Sequence, residues 1–197
     1  MVVSMIPANV TDDERRTMLL GSIVPRPIAW TSTMSSRGVR NLAPFSYFTV
    51  VSNTPPMLSL TLESKEDGSE KDTLANIKDT GEFVVNVVSS TLIREMVVTS
   101  REHHQDVDEF AVAGVTAVPS QTVSAPRVAE APISMECTLF GVIRPGSDSV
   151  VIGRVERFHF DESVIDSELH IDPAALCPVG RLGRTFSVVR STLDIYA

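Results

Sequence analysis

"PRPIAWTSTMSSRGVRNLAPFSYF", residues 25–48, has the composition of two strands joined by a tight turn. Ile28–Thr33 and Val39–Phe48 are rich in β-branched and aromatic residues, which favour strands. Ser35-Ser-Arg-Gly38 between them has the residues of a hairpin turn. Because Pro44 has no backbone N–H, we expect the second strand to lie at a sheet edge or to carry a bulge there.

The charged residue at the start of this stretch, Arg26, lies between two prolines. Pro25 and Pro27 fix their own φ angles and push the preceding residues into extended geometry, so Arg26 is expected on a stiff backbone. From the residues alone, a solvated arginine at the start of an ordinary strand and an arginine with a binding role are both open interpretations.

The rest of the chain contains further strand-like segments, bounded by Gly, Pro, Ser or Asn. They are Met57–Leu62, Glu82–Val88, Ile133–Ile143 and Val150–Phe160. Three segments have helical features, and the first opens with a Thr11-Asp-Asp-Glu14 capping box. They are Asp12–Leu20, Lys71–Asp79 and Thr91–Ser100. Ser120–Pro132 is predicted to be a loop, and the chain from His170 onward is predicted to be irregular. Many short strands with few peripheral helices predict a mainly β fold, a single-domain β-barrel over residues 1–197.

Composition and net charge argue against several classes of function. The chain has 197 residues, 43% of them hydrophobic, so it can bury a sizeable core. A formal net charge of -8 argues against a nucleic-acid groove and against an anionic membrane face, and an anionic ligand would need a local cationic cluster. Two cysteines, no secretion signal and no apolar run near the ~20 residues of a membrane span predict a reduced, cytoplasmic protein.

A polar, turn-rich segment, Ser64–Thr73, leads directly into the second predicted helix. Lys71 and Thr73 fall in the first helical turn, where unpaired N–H groups and the helix dipole attract an anion. Asp72 or a nearby serine is the predicted N-terminal cap. Taken alone, a solvated loop with an ordinary cap is the simpler interpretation, and the glycine spacing excludes a Walker loop.

Together, these motifs resemble the flavin reductase-like family, whose fold is the FMN-binding split barrel. The resemblance rests on Pro25–Thr33, Gly38–Ser46, Lys71-Asp-Thr73 with Asn76-Ile77, and Gly81–Asn86, and it extends to Glu136-Cys137, Gly153-Arg-Val155 and Gly180–Gly183. It implies a split β-barrel with peripheral helices that forms a homodimer and binds FMN, with FAD as the alternative. It also implies NADH or NADPH as the electron donor.

The resemblance also implies roles for individual residues. It implies that the ring-side wall of a flavin site is formed by Thr31, Ser32, Thr33, Asn41, Ala43, Pro44, Phe45 and Ser46. It implies that the phosphate side is formed by Ser64, Lys71 and Thr73. Arg26 is the open case, as a cation near the reduced ring, at the phosphate or at the partner subunit. Hydride transfer from nicotinamide C4 to flavin N5 needs no catalytic base, so no catalytic residue is expected.

Three functions follow from this resemblance as hypotheses. The first is an NAD(P)H:flavin reductase, whose reduced flavin feeds a monooxygenase partner. The second is an electron carrier with tightly bound FMN, and the third is a split-barrel relative with a non-flavin ligand.

Several remaining residues have two interpretations each. His159 is either a nicotinamide neighbour or a plain strand histidine, and Cys177 is either an exposed thiol or a redox group. Arg181 and Arg184 either close over the flavin from a neighbouring subunit or belong to a surface tail. Adjacent His103 and His104 point apart on a helix, so no metal site is expected. Cys137 is predicted to be a core residue.

Overall fold

The computed structural model describes residues 1–65 and 67–191. Its first helix, α1 (Asp12–Ser22), begins where the capping box predicts. The Thr11 hydroxyl accepts a hydrogen bond from Glu14 N at 3.3 Å, and Glu14 Oε2 accepts one from Thr11 N at 2.9 Å. These reciprocal bonds satisfy two backbone N–H groups that a helix start leaves without partners.

Twelve strands and four further helices follow in the described part of the chain. The strands are β1 (Arg26–Pro27), β2 (Ala29–Met34), β3 (Arg40–Phe45), β4 (Phe48–Asn53), β5 (Pro56–Leu62), β6 (Glu82–Val87), β7 (Ala117–Val118), β8 (Arg127–Val128), β9 (Ile133–Ile143), β10 (Ser149–Phe160), β11 (Val179–Leu182) and β12 (Thr185–Val188). The helices are α2 (Asp72–Thr80), α3 (Ile93–Val98), α4 (Glu109–Ala113) and α5 (Pro173–Leu176). Single 3₁₀ turns cover Pro7–Asn9 and Ser90–Leu92.

Seven strands form one antiparallel sheet in the order β3-β2-β6-β9-β10-β5-β4. The sheet curls around a core to which strands from both halves contribute, including Leu60, Phe83, Cys137 and Val151, all without solvent exposure. Thr61 N donates to Tyr47 O at 2.8 Å, so the β3–β4 connection closes onto β5. The prediction of a mainly β split barrel with peripheral helices is confirmed.

A smaller three-stranded sheet, in the order β1-β11-β12, packs beside the barrel. A second core beneath it joins Trp30 and Leu42 of the barrel to Phe110 of α4 and Val179 of β11. The prediction of an irregular segment from His170 onward is therefore wrong. Strands of four residues carry little periodicity of their own, and β11 acquires its partner, β1, from about 150 residues earlier in the chain.

Local signals were correct for the opening hairpin. Ser35 N donates to Val39 O at 2.9 Å, and Gly38 closes the turn with a φ of 81°. Pro44 lies on β3, the edge strand of the large sheet, as its missing N–H predicts. The predicted strand Val39–Phe48 is in fact two strands, because the chain turns away after Phe45 and begins β4 at Phe48.

Two other local predictions are corrected by the structure. Lys71, not Asp72, occupies the N-cap of α2, and no side chain caps that helix end. The predicted loop Ser120–Pro132 contains the short strand β8, which pairs with β7. Across residues 1–65 and 67–191, the helices fall short of the length and apolar character that crossing a bilayer requires.

Gly153 of β10 supplies a test of the barrel core. A Cβ at this position would lie 2.6 Å from Phe83 Cε1, and Phe83 is fully buried. We predict that Gly153→Ala lowers the free energy of unfolding by about 1–3 kcal/mol, because the crowded ring has nowhere to move. Urea denaturation measures this loss. Gly141→Ala on the neighbouring strand is the matched control, since a Cβ there contacts nothing within 4 Å and stability should stay near wild type.

Candidate functional site

A cavity of about 750 Å³ opens beside the edge strand β3. Its walls come from α1, from the β3–β4 connection, from the start of α2 and from the β11–β12 hairpin. The side chains that line it include Asp13, Arg16, Arg26, Ala43, Pro44, Phe45, Ser46, Tyr47, Glu63, Lys71, Met96, Arg181, Arg184 and Phe186. A cavity of this volume is in the range that binds small molecules and cofactors.

The edge strand β3 forms one wall of the cavity. Ala43 and Pro44 are half-buried and present small, uncharged surfaces, while Phe45 turns its ring into the barrel core. Pro44 pairs with Trp30 of β2, which is fully buried and donates from Nε1 to Thr99 Oγ1 at 2.9 Å. β3 has a sheet partner on one side only. On its other side Leu42 N is bonded to Glu109 and Pro44 has no N–H, so this edge offers carbonyl oxygens to a ligand.

The start of α2 contributes a cationic side chain and a helix terminus. Lys71 is the N-cap residue, lines the cavity and, among the described residues, forms no ion pair. Because no side chain caps this nine-residue helix, its first N–H groups and the positive end of its dipole favour an anion. Thr73, by contrast, is buried, and its hydroxyl lies 2.9 Å from the Asn41 amide.

The structure brings together six of the twelve residues predicted for the flavin site. They are Arg26, Ala43, Pro44, Phe45, Ser46 and Lys71. Thr31, Ser32 and Thr33 have no exposed surface, so they lie outside the cavity lining. Their hydroxyl groups bond within the protein, to Ala29 O at 3.3 Å, to Pro126 O at 2.5 Å and to the Asn76 amide at 3.0 Å.

The remaining three predicted residues lie near the cavity and do not line it. Asn41 and Thr73 bond to each other, so they join β3, which forms one wall of the cavity, to α2, which carries Lys71. Ser64 is half-buried and donates to Ser147 O at 3.3 Å. Direct flavin contacts for these residues remain a prediction.

Arg26, the open case in the sequence, has a structural partner. Its Nη1 donates to Leu20 O and, at 2.9 Å, to Ile23 O, which are carbonyls at the end of α1. A cation is favourable there because the end of a helix carries partial negative charge. Arg26 as a residue is 6% exposed, and its side chain reaches the cavity with its position fixed by these bonds.

The cavity is cationic although the protein is acidic. Five cations line it against two carboxylates, and one of those carboxylates, Glu63, is bound by Arg16 in a two-bond ion pair with both distances 3.0 Å. Arg181 and Arg184 belong to the same chain as the rest of the wall, so the cavity needs no second subunit to receive them. Burial lowers the pKa of Arg181, and the nearby charges of Arg26 and Arg16 lower it further.

His159 lies away from this cavity and bonds Glu136 from Nε2 to Oε1 at 2.6 Å. Burial raises the pKa of Glu136, but hydrogen bonds from Thr122, Gln121 and His159 outweigh it and lower the value to about 2. This geometry favours the plain strand histidine. Cys137 is a core residue as predicted, and burial raises the pKa of its thiol.

The remaining candidates, Cys177, His103 and His104, lie outside the large cavity. Cys177 is half-buried, and its thiol donates to Ala174 O at 2.9 Å. His103 and His104 line a separate small cavity of about 70 Å³ next to Glu109. In residues 1–65 and 67–191, no group of three or more His, Cys, Asp or Glu side chains is placed to hold a metal ion.

Sequence reasoning missed Glu109, which lies against β3. Its Oε2 accepts from Leu42 N at 2.6 Å, one residue before Ala43, so the start of α4 is bonded to β3. Burial raises the pKa of Glu109 to about 7; the Leu42 N–H opposes this rise, and the negative charges of Asp72 and Asp108 add to it. Asp108-Glu109 before an apolar pair was the available signal for a short capped helix.

Fold and site together define a split-barrel protein with a cationic small-molecule cavity. The chain belongs to the family of the flavin reductase like domain, whose model matches residues 20–178. A protein of Aquifex aeolicus is 39% identical over 171 residues, which cover 87% of each chain.

Two solved structures extend this likeness over nearly the whole chain. Nitrilotriacetate monooxygenase component B from Bacillus cereus superposes with a TM-score of 0.95 at 32% identity and covers 99% of both chains. The 2-nitrobenzoate 2-nitroreductase of Pseudomonas fluorescens gives a TM-score of 0.86 at 30% identity, with 99% of this chain and 98% of that chain covered. Family membership supports a flavin-binding oxidoreductase role.

The raised pKa of Glu109 gives a pH prediction. Between pH ~4.5 and ~7 the folded protein keeps a proton that the unfolded chain releases, so this group's contribution to stability falls as the pH rises. We expect the wild type to lose on the order of 2 kcal/mol relative to Glu109→Gln between pH 5 and pH 8. Urea unfolding of both proteins at the two pH values measures this, and parallel curves would contradict it.

Proposed function

We propose that this protein is an NAD(P)H:flavin reductase that binds FMN in the cavity beside β3. The observation that carries the proposal is the pairing of an uncharged edge-strand wall at Ala43 and Pro44 with the uncapped, lysine-bearing start of α2 in one cavity. A flavin mononucleotide needs both features, a slot for a planar ring and a counter-charge for a phosphate.

The ring would lie along the backbone of residues 43–46. Ala43 and Pro44 are small enough to leave room for a flat ring. The edge of β3 offers carbonyl oxygens to the polar edge of the ring, because Pro44 has no N–H and Leu42 N is bonded to Glu109. When bound, FMN supplies the ring that accepts a hydride. The chain's own part is to hold the two rings face to face and to exclude water with Ile28, Met96 and Phe186.

The phosphate would lie at the start of α2. Lys71 supplies a full charge there, and the first N–H groups of the helix supply directed donors. An anionic group bound there would contact a cation and unbonded N–H groups. The carboxylate of Asp72, which would repel it, is bonded to Lys65 at 3.1 Å. Proton transfer by the protein is not required, so a catalytic acid or base is absent from the proposal.

The wider context of the reaction belongs to the same proposal. The likeness to a monooxygenase component B supports a role in which reduced flavin is passed to a monooxygenase partner. We further propose that the protein is a cytoplasmic homodimer and that residues 1–197 form one domain. Two alternatives remain: the flavin is FAD, or FMN is tightly bound and only carries electrons. The flavin titrations and turnover measurements below distinguish them.

One purified sample tests the function. Flavin absorbance after titration with FMN and FAD, followed by NADH and NADPH oxidation with added free flavin, should show FMN binding and steady turnover. Bleaching of bound flavin by dithionite but by neither nicotinamide would establish the carrier instead. A protein that binds neither flavin would overturn both.

Lys71 provides the first prediction for this site. We expect Lys71→Ala to weaken FMN binding about tenfold and to leave riboflavin binding nearly unchanged, because only FMN carries the phosphate. Fluorescence titration of both ligands measures the preference. Lys78→Ala is the matched control, since Lys78 lies on the same helix, is exposed and pairs with Glu70 at 3.0 Å. Equal losses for FMN and riboflavin would reject the phosphate assignment.

Ala43 provides the second prediction. A phenylalanine at this position would fill the slot against β3, so Ala43→Phe should weaken FMN and riboflavin alike by about tenfold or more. Ala111→Phe, on the exposed face of α4, is the control for adding a ring to the protein. Wild-type affinity in Ala43→Phe, with a native circular dichroism spectrum, would place the ring elsewhere.

A further inference from the structure

Two arginines face each other across the small sheet. In the antiparallel pairing of β1 with β11, Arg26 lies directly opposite Arg181, and both line the large cavity. Like charges at opposed positions on neighbouring strands destabilise a sheet. The strand pairing therefore does not stabilise the two charges, and of the two only Arg26 is compensated elsewhere, by the carbonyls at the end of α1.

The described carboxylates do not compensate the two charges either. No carboxylate of residues 1–65 and 67–191 pairs with Arg26 or Arg181, and Arg16 already binds Glu63. Arg26 donates from Nη1 to the carbonyls at the end of α1 and from Nε to Ser46 Oγ at 3.5 Å, and Arg181 donates from Nε to Gly183 O at 2.7 Å. Among the described residues, Nη2 of Arg26 and both Nη atoms of Arg181 have no hydrogen-bond partner.

The strand pair holds the two arginines rigidly. Gly180, the neighbour of Arg181, allows close approach, because a Cβ there would lie 2.8 Å from Pro25 Cβ. Phe186 supports Arg181 from below, with the guanidinium carbon 4.6 Å from the ring centre. Arg184, on the exposed turn of the same hairpin, adds a third cation to the same cavity. Preorganised guanidinium groups of this kind match carboxylate and phosphate oxygens.

We propose that Arg26, Arg181 and Arg184 form an anion subsite separate from the one at Lys71. On the proposed function, it takes the carboxylate or phosphate group of the second small molecule that meets the flavin. The three arginines belong to β1 and the β11–β12 hairpin, whereas Lys71 belongs to α2. A single phosphate, with about two negative charges, leaves part of the cavity's cationic surplus unmatched.

Calorimetric titration of FMN-loaded protein with inorganic phosphate and with benzoate tests the subsite. Wild type should bind one of these anions, and Arg181→Gln should weaken that binding about tenfold while FMN affinity changes less than about twofold. Arg184→Gln, at an exposed position, should weaken it in the same direction without any risk to folding. Arg157→Gln, exposed on β10 and outside the cavity, is the matched control.

The two anions distinguish the sources of the ligand group. Preference for inorganic phosphate points to a phosphorylated donor, and preference for benzoate points to an organic acid. Unchanged anion binding in Arg181→Gln and Arg184→Gln overturns the subsite, and so does a loss of FMN preference over riboflavin in these variants, which would assign the arginines to the flavin phosphate. If the protein binds no flavin, titration of the Lys71→Ala protein with inorganic phosphate and benzoate still measures anion binding by the arginines. Failure of the proposed function can therefore be distinguished from failure of the arginine subsite.

Discussion

The exposed edge of β3 is the constraint on which the site depends. Pro44 cannot donate to a neighbouring strand, so β3 cannot be an interior strand at that point, and the large sheet ends there. The chain then turns at Ser46 and Tyr47 and continues as β4 at the opposite end of the same sheet. Residues 43–47, at the end of β3 and in the turn after it, line the cavity, so the missing hydrogen bond that limits the sheet also leaves room for a ligand.

The cavity is positively charged although the protein as a whole is negatively charged. The chain carries a net charge of -8, yet the cavity gathers five cations from α1, β1, α2 and the β11–β12 hairpin. Such a cluster costs free energy in the protein without its ligand, because burial disfavours the charged form and like charges repel. Burial first, and then the charges of Arg26 and Arg16, lower the pKa of Arg181. Structural stability alone does not explain this arrangement, whereas an anionic ligand offsets the repulsion directly.

Local sequence signals predicted those parts of the fold that local chemistry determines. The Thr11–Glu14 capping box, the turn at Gly38 and the edge position of Pro44 each depend on residues within a few positions. The family resemblance added the barrel and the wall at Ala43.

Features that depend on contacts between residues far apart in the sequence could not be predicted from local signals. β11 is a strand because β1 lies beside it, and nothing within its four residues indicates this. Thr31–Thr33 were expected in the cavity, but β2 is an interior strand and both of its faces are covered, with Ser32 bonded to Pro126 O and Thr33 to Asn76 of α2. Glu109 required knowledge that α4 packs against β3, 67 residues earlier.

Arg26 shows how one side chain serves both fold and site. Its bonds to the last carbonyls of α1 hold that helix at the cavity mouth, where Arg16 and Asp13 join the lining. The same bonds fix the guanidinium opposite Arg181, so the charge that secures the helix also raises the local potential. Removing it would therefore loosen α1 and weaken the cavity's field together. Arg181 also bonds Gly183 O and packs on Phe186, whereas Arg184 is exposed on the hairpin turn, so Arg184 separates electrostatics from folding in a way that Arg26 cannot.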